Sequence, residues 1–508
     1  MLINNLLIDT TMRSLKLLLL LLTLIVTTLG CFDREVTISS NLPSTTPNPA
    51  FAATSKAAKP AYSFVDSMCV TTHWSYYDTP YGQNYNAVKQ KLVALGIRHI
   101  RDSGATKDVI DKTKELGRLG IKTTYVMYPI LGVTANSSYW ATPPAYNITD
   151  FVKNKVGTNA IDAVEIANEI DFNYKRLSWY KGDTTKLSDD PKSSLYWVRY
   201  IESLTKDTYK ALKSDRATDQ IKVIGPSLGR SYDYGSKSPL GDLSKYVDWG
   251  NFHPYPNGGN PFNNPFKYNT IEKYYWHGNF PSVNINRNPY AFDVYAPPFK
   301  GKPMAATETG YFTTKGERGI SEKVHGKYMP RLFLEYFRQR VPRTCSYELV
   351  DEWNQPDNSE ANYGLLRHNL SPKPAYTALK SLISLLNDPQ GSKIIPKTLN
   401  YNLSSTAPPG YNRTEYVHDL LLQKRDGNFY LIIWHEISNG DTSTTPVREI
   451  NPPPIPTQVN LSTPIRSATI YTFDDAGNLS TKATSIKNNR ISLNVTDKVT
   501  IIKLVPRK

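Results

Sequence analysis

Cysteine is scarce, with three residues in a chain of 508. That excludes a small domain stapled by many disulfides. Histidine is scarce too, at eight, and no Cys or His cluster has the spacing of a metal site. Neither a metal nor a cofactor is expected. The net charge is +15, yet no compact block of Lys and Arg carries it, so no nucleic-acid partner is expected. The excess charge suits anionic glycans or membrane surfaces, and equally a generally basic solvated surface. Apolar residues make up 39% and charged residues 21%, which fits a soluble protein with an ample core. What is abundant is aromatic and cyclic: 34 Tyr, 8 Trp and 36 Pro. Such content suits a loop-rich extracellular protein, and flat rings stack on sugars, although most of the Tyr fill cores and surfaces.

The first 30 residues read as a targeting signal. Arg13 and Lys16 form a basic region, Leu17 to Leu29 an apolar run, and Gly30-Cys31 follows. The run is too short for a comfortable membrane span. Thr28-Leu29-Gly30-Cys31 resembles a bacterial lipoprotein signal, with Thr28 where Leu is usual. The resemblance implies lipidation of Cys31 and a membrane partner through that anchor; ordinary secretory cleavage near the same place stays open. Residues 31–60 are rich in Ser, Thr, Pro and Ala and read as a flexible tether. The location expected is extracytoplasmic, either anchored to the cell envelope or secreted.

From residue 61 to about 390, short apolar strands alternate with amphipathic helices, the pattern of βα units and a parallel sheet. The expected strands are Ser67 to His73, Ile97 to Arg101, Ile121 to Met127, Ala163 to Glu169, Ile221 to Pro226, Val247 to Phe252, Pro303 to Glu308 and Thr344 to Val350. A helix follows each strand except the sixth, after which residues 256–302 are too long for a bare connector. Eight such units predict a (β/α)8 TIM barrel, an α/β fold. After Ser392 the helical period stops. Short alternating runs at 419–423, 429–434, 467–471, 490–495 and 499–504 predict an antiparallel β-sandwich over 391–508, with Pro452 to Pro456 as loop.

In such barrels the site lies at the carboxyl ends of the strands. Those ends carry His73-Trp74, Arg101, Asn168-Glu169, His253 and Tyr255, Glu308, and Trp353. Two glutamates across a barrel mouth suit hydrolysis of a glycosidic bond, one protonating the leaving oxygen and one attacking the anomeric carbon. Arg101 supplies charge and Tyr255 a donor to keep a carboxylate ionised. Asn168 suits a sugar 2-hydroxyl, and Trp353 a sugar face. His73 and Trp74 are candidates for lining a subsite, as are Trp179 and Trp276. Glu165 shares the face of Glu169 deeper in the barrel, where a structural role fits better. Glu348, Asp351 and Glu352 suit salt bridges. Cys69 and Cys345 fall on adjacent strands; a disulfide between them and two buried thiols both fit.

The set Arg101, Asn168-Glu169, His253-Pro254-Tyr255, Glu308 and Trp353 resembles clan A of the retaining glycoside hydrolases, most of all its family 39-like and family 5-like members. The stretch Tyr363-Gly364-Leu365-Leu366, followed by Ser371 to Tyr376, is similar to the end of many such barrels. The resemblance implies that Glu169 is the acid/base and Glu308 the nucleophile. It implies a monomeric enzyme acting on a carbohydrate, with the sandwich as accessory domain. A non-catalytic carbohydrate-binding lipoprotein and a transglycosylase remain as alternatives.

Overall fold

The computed structural model describes residues 54–127, 133–135, 146–176, 186–230, 238–266, 292–314, 319–388, 394–407, 416–442 and 444–507. The signal segment, Cys31, Trp179 and Trp276 lie outside the described residues.

Eight parallel strands form one sheet: Met68–Thr71, His99–Asp102, Lys122–Met127, Ile161–Ile166, Lys222–Ile224, Gly250–Phe252, Met304–Thr309 and Thr344–Ser346. The eighth pairs with the first through Thr344↔Met68, Cys345↔Cys69 and Ser346↔Val70. A parallel bridge between Ile224 and Trp249 joins the fifth strand to the sixth and closes the barrel. The seventh strand is buried at every position and the fourth at all but one. Parallel strands are covered on both faces, so the polar side chains within them, Glu165 and Thr307 among them, are buried and hydrogen-bonded. Cys69 and Cys345 stand opposite one another and are joined by a disulfide, with their Cα atoms 4.1 Å apart.

Helix Tyr85–Leu95 turns Val88, Leu92 and Leu95 inward and ends at Gly96, whose φ of 81° only glycine adopts freely. Helix Lys107–Arg118 begins where Thr106 accepts a bond from the Val109 amide. Trp197–Lys213, Glu322–Arg338 and Pro374–Leu386 complete the long helices. The expected helix after the fifth strand is not found: among the described residues only the turn Ser244–Tyr246 stands there. Three short helices, Asn263–Phe266, Phe292–Tyr295 and Pro297–Phe299, occupy the described parts of 256–302.

The sandwich packs a four-stranded sheet against a six-stranded one. The first contains Thr54–Ala57, Thr398–Ser405, Ile455–Leu461 and Arg490–Val495. The second contains Lys59–Pro60, Val417–Gln423, Phe429–His435, Thr500–Pro506, Ile465–Phe473 and Leu479–Thr484. Leu399, Tyr401, Leu431, Ile433, Val459 and Ile502 fill the space between them. Two expectations are corrected here. The tether ends before residue 60, because Thr54–Ala57 pairs antiparallel with Thr398–Ser405. The loop expected from Pro452 to Pro456 is shorter than that: Ile455 and Pro456 open a strand, with Pro456 on the exposed face opposite Asn494.

Barrel and sandwich belong to one compact unit, Ala52–Lys508. Polar groups join them. Arg331, fully buried on helix Glu322–Arg338, pairs with Glu436 and donates to the Ile437 carbonyl at 2.6 Å and to Asn439 Oδ1 at 2.9 Å. Lys327 meets Asp497 at 2.7 Å, and His418 meets Glu335 at 2.7 Å.

Candidate active site

At the carboxyl ends of the strands lies a cavity of about 410 Å³, lined among others by His73, Arg101, Asn168, Glu169, Tyr255 and Glu308. Arg101, on the second strand, organises its floor. Its Nε and Nη2 donate to the two oxygens of the fully buried Glu165 at 2.6 and 2.9 Å. Nη1 donates to Glu308 Oε1 at 2.5 Å, and Nη2 also reaches Asn168 Oδ1 at 2.8 Å. The Asn168 oxygen is thereby engaged, and its amide nitrogen is the end left for a ligand. Burial alone would push the Glu165 carboxyl up, but the Arg101 charge overrides it and brings it down to about 2. Glu165 is thus the structural counter-ion that its place in the sequence implied.

Glu308 sits at the end of the seventh strand. Arg101 holds one of its oxygens, and the Tyr255 hydroxyl donates to the other at 2.9 Å. Burial opposes its ionisation, yet the His253 and Arg101 charges prevail and lower its pKa. A buried carboxylate kept ionised by neighbouring charges is suited to act as a nucleophile.

Glu169 does not lie on the strand, as expected, but three residues past it. The strand stops at Ile166, and Ala167 and Glu169 adopt φ of 51° and 42°. This left-handed turn aims the side chain, 24% exposed, into the cavity, while the Glu169 amide donates to Ser227 Oγ at 3.1 Å. One carboxylate oxygen of Glu169, one of Glu308 and a His253 ring nitrogen all lie within 4.8 Å of one another. Retaining glycosidases need their carboxyls about 5–5.5 Å apart, inverting ones about 6.5–9.5 Å.

His253 Nδ1 lies 2.9 Å from Glu169 Oε1, and Nε2 lies 3.0 Å from Thr307 Oγ1. Burial disfavours its charge, but Glu308, Glu165 and Glu169 together raise it to about 9. His73, on the opposite wall, pairs with Glu352 at 2.5 Å and approaches Glu348 at 3.3 Å, and its ring stacks on Tyr76. Glu348 is fully buried, and its Oε1 has no hydrogen-bond partner among the described residues. Burial chiefly raises it to about 8. Asp102 is likewise pushed up to about 6 by burial. Glu169–His253–Glu308, His73–Glu348–Glu352 and Glu335–His418–Glu436 each bring together atoms of metal-ligand type. In each group the ring nitrogen already faces a carboxylate.

Three expected residues do not line the cavity: His253, which sits behind its wall against Glu169 and Glu308, Trp74 and Trp353. Trp74 is fully buried among Tyr81 and Tyr85, its ring directed away from the mouth that the adjacent His73 lines. Trp353 is half-buried and does not line the cavity. The rings there belong instead to Tyr76, Phe172, Tyr255, Tyr347 and Tyr363. Asp102 was missed, although its place beside Arg101 at a strand end was a usable signal. Phe172 and Gly229 gave no signal, and Tyr363 was read only as part of the barrel's closing stretch, since the segments beyond the strands bring them in.

No family model matches the chain, and no curated protein matches it. Among solved structures the chain is similar to the GH39 enzyme from Xanthomonas axonopodis pv. citri, at 12% identity over 89% of this chain and 96% of that one, with a TM-score of 0.50. It is also similar to a family 39 glycoside hydrolase from the gut symbiont Bacteroides cellulosilyticus WH2, at 16% identity over 88% and 81%, TM-score 0.47. The catalytic domain of GH30 xylanase C from Talaromyces cellulolyticus matches at 11% identity over 90% and 98%, TM-score 0.46. The Xanthomonas likeness takes in barrel and sandwich alike, and it shows the fold: a TIM barrel followed by a β-sandwich.

Proposed function

We propose that the protein is a retaining glycoside hydrolase that cleaves O-glycosidic bonds in an oligo- or polysaccharide. The observation that carries this reading is the carboxylate pair of Glu169 and Glu308, which bring one oxygen each within 4.8 Å of the other, with Glu308 clamped between Arg101 and Tyr255. Glu308 attacks the anomeric carbon, and the C–O bond to the leaving group breaks. Its electron pair stays on the leaving oxygen, which takes a proton from Glu169. Glu169 then deprotonates a water, which displaces Glu308 and releases the sugar. Asn168 offers its amide to the 2-hydroxyl, a contact that strengthens in the transition state. The fold likeness is compatible with this chemistry, but the side chains carry the argument.

The test is an assay of wild type, Glu169→Ala and Glu308→Ala on a panel of glycans. Removing either carboxylate is expected to lower turnover by at least about 10²-fold. Azide is expected to rescue Glu169→Ala with a product of retained configuration, and Glu308→Ala with one of inverted configuration. A Glu308→Ala protein as active as wild type sinks the assignment. We further place the enzyme outside the cytoplasm, anchored through Cys31, a reading that the Cys69–Cys345 disulfide supports. Loss of palmitate labelling in Cys31→Ser checks it.

A further inference from the structure

In the reaction proposed above, on which this inference rests, the proton travels from Glu169 to the glycosidic oxygen. The departing group therefore lies on the Glu169 side of the cavity. Among the described residues, two aromatic side chains that line the cavity are largely exposed, Tyr76 at 41% and Phe172 at 49%. Tyr76 stacks on His73, on the wall formed by the first and eighth strands. Phe172 stands beside the acid. It lies on the short helix Ile170–Asn173 that begins directly after Glu169, and its amide donates to the Glu169 carbonyl at 2.9 Å.

The ring of Phe172 is held in place from below. A Cβ at Gly229 would come within 2.3 Å of its Cδ2 and Cε2, and within 2.9 Å of the Glu169 carboxyl carbon. The absent side chain at Gly229 thus lets ring and acid settle on the same piece of backbone. That backbone is fixed in turn: the amides of Gly229 and Arg230 donate to the carboxylate of the buried Asp171 at 2.8 and 2.7 Å. A single exposed apolar ring is ordinary on a surface, but this one lines the cavity beside Glu169 and is fixed against Gly229. Here its position is set by the same short helix that sets the proton donor. The C–H face of a pyranose is the apolar surface that matches a flat ring.

We propose that Phe172, seated on Gly229, is the stacking platform of an acceptor-side subsite, so that the leaving group is itself a sugar ring. Asp171 is a positioning residue for that platform.

The experiment compares two leaving groups on wild type, Phe172→Ala and Phe172→Tyr. The first substrates are reducing-end-labelled xylo-, laminari-, cello- and manno-oligosaccharides, taken at the one wild type cleaves best. The second is the glycosyl fluoride of the same sugar, whose departing fluoride fills no acceptor subsite. Phe172→Ala is expected to lower kcat/KM on the oligosaccharide roughly tenfold or more, the effect of losing a stacked ring. On the fluoride it is expected to stay within about twofold of wild type. Phe172→Tyr is expected to restore the oligosaccharide activity. Equal losses on both substrates, or none on the oligosaccharide, overturn the subsite while leaving the glycosidase reading intact. A wild type that cleaves neither class overturns both.

Discussion

His253 Nδ1 faces Glu169 Oε1 at 2.9 Å, and the direction of the proton between them follows from the groups behind the ring. Asn251 donates its amide to the Gly225 carbonyl, so its oxygen faces Thr307, whose hydroxyl donates to it at 2.8 Å. Thr307 therefore accepts from His253 Nε2–H. With Nε2 committed as a donor, Nδ1 and Glu169 share one further proton. Removing the ring, as in His253→Gln, is expected to move the alkaline limb of the kcat/KM profile to lower pH. An unchanged limb would show that the histidine does not act on the acid.

The same histidine makes stability depend on pH. Its folded pKa of about 9 lies above its ordinary value of 6.5. Its charged form therefore stabilises the fold fully below pH 6.5, and that contribution is lost as pH rises to about 9. Urea titrations of wild type are expected to lose stability across this window, and His253→Gln to lose less.

Arg101 answers two buried carboxylates, Glu165 and Glu308. Arg101→Met is expected to destabilise the protein by about 3–5 kcal/mol, because it leaves Glu165 charged and unpaired. Adding Glu165→Gln is expected to recover most of that stability in chemical denaturation. Activity is not expected to return, since Glu308 still lacks the Arg101 guanidinium that holds one of its oxygens.

Glu348 is a carboxyl that the fold prefers protonated, with a pKa of about 8 against an ordinary 4.5. For such a group the stabilising contribution is full below pH 4.5 and lost as pH rises through 8. Glu348→Gln copies the neutral form. Its Tm is expected to match wild type near pH 5 and to exceed it above pH 8; a lower Tm at both would refute the reading.

Arg331 ties the barrel helix to Glu436, Ile437 and Asn439 of the sandwich. Arg331→Met strands Glu436 in the interior, at a cost of about 3–5 kcal/mol. Calorimetry is expected to show one unfolding transition for wild type and two for Arg331→Met, the sandwich loosening first.

The barrel was legible because short strands rich in apolar residues alternate with amphipathic helices, and Glu169 and Glu308 because strand ends face the mouth. What the sequence hid depended on direction and distance. Trp74 follows His73, and the ring that neighbours the mouth residue turns into the outer helices instead. Glu169 looked like a strand terminus, but two left-handed residues carry it clear of the sheet. Arg331 and Lys327 read as ordinary helix charges, since their partners are more than a hundred residues away. Strand Ile455–Leu461 was obscured by Pro456 and the three prolines before it, and its alternation begins inside the run read as loop.

The strand Thr54–Ala57 comes before the barrel in the chain, yet it completes a sheet whose other members come after it. The sandwich is therefore no detachable module. A fragment cut at residue 391 would bare the hydrogen-bonding edge of Thr398–Ser405 and invite self-association there. During synthesis this edge strand emerges first and waits for the whole barrel before its partner exists. Barrel and sandwich are in this sense one folding problem, and a gene that swapped either for a homologous part would have to bring both ends of the chain along.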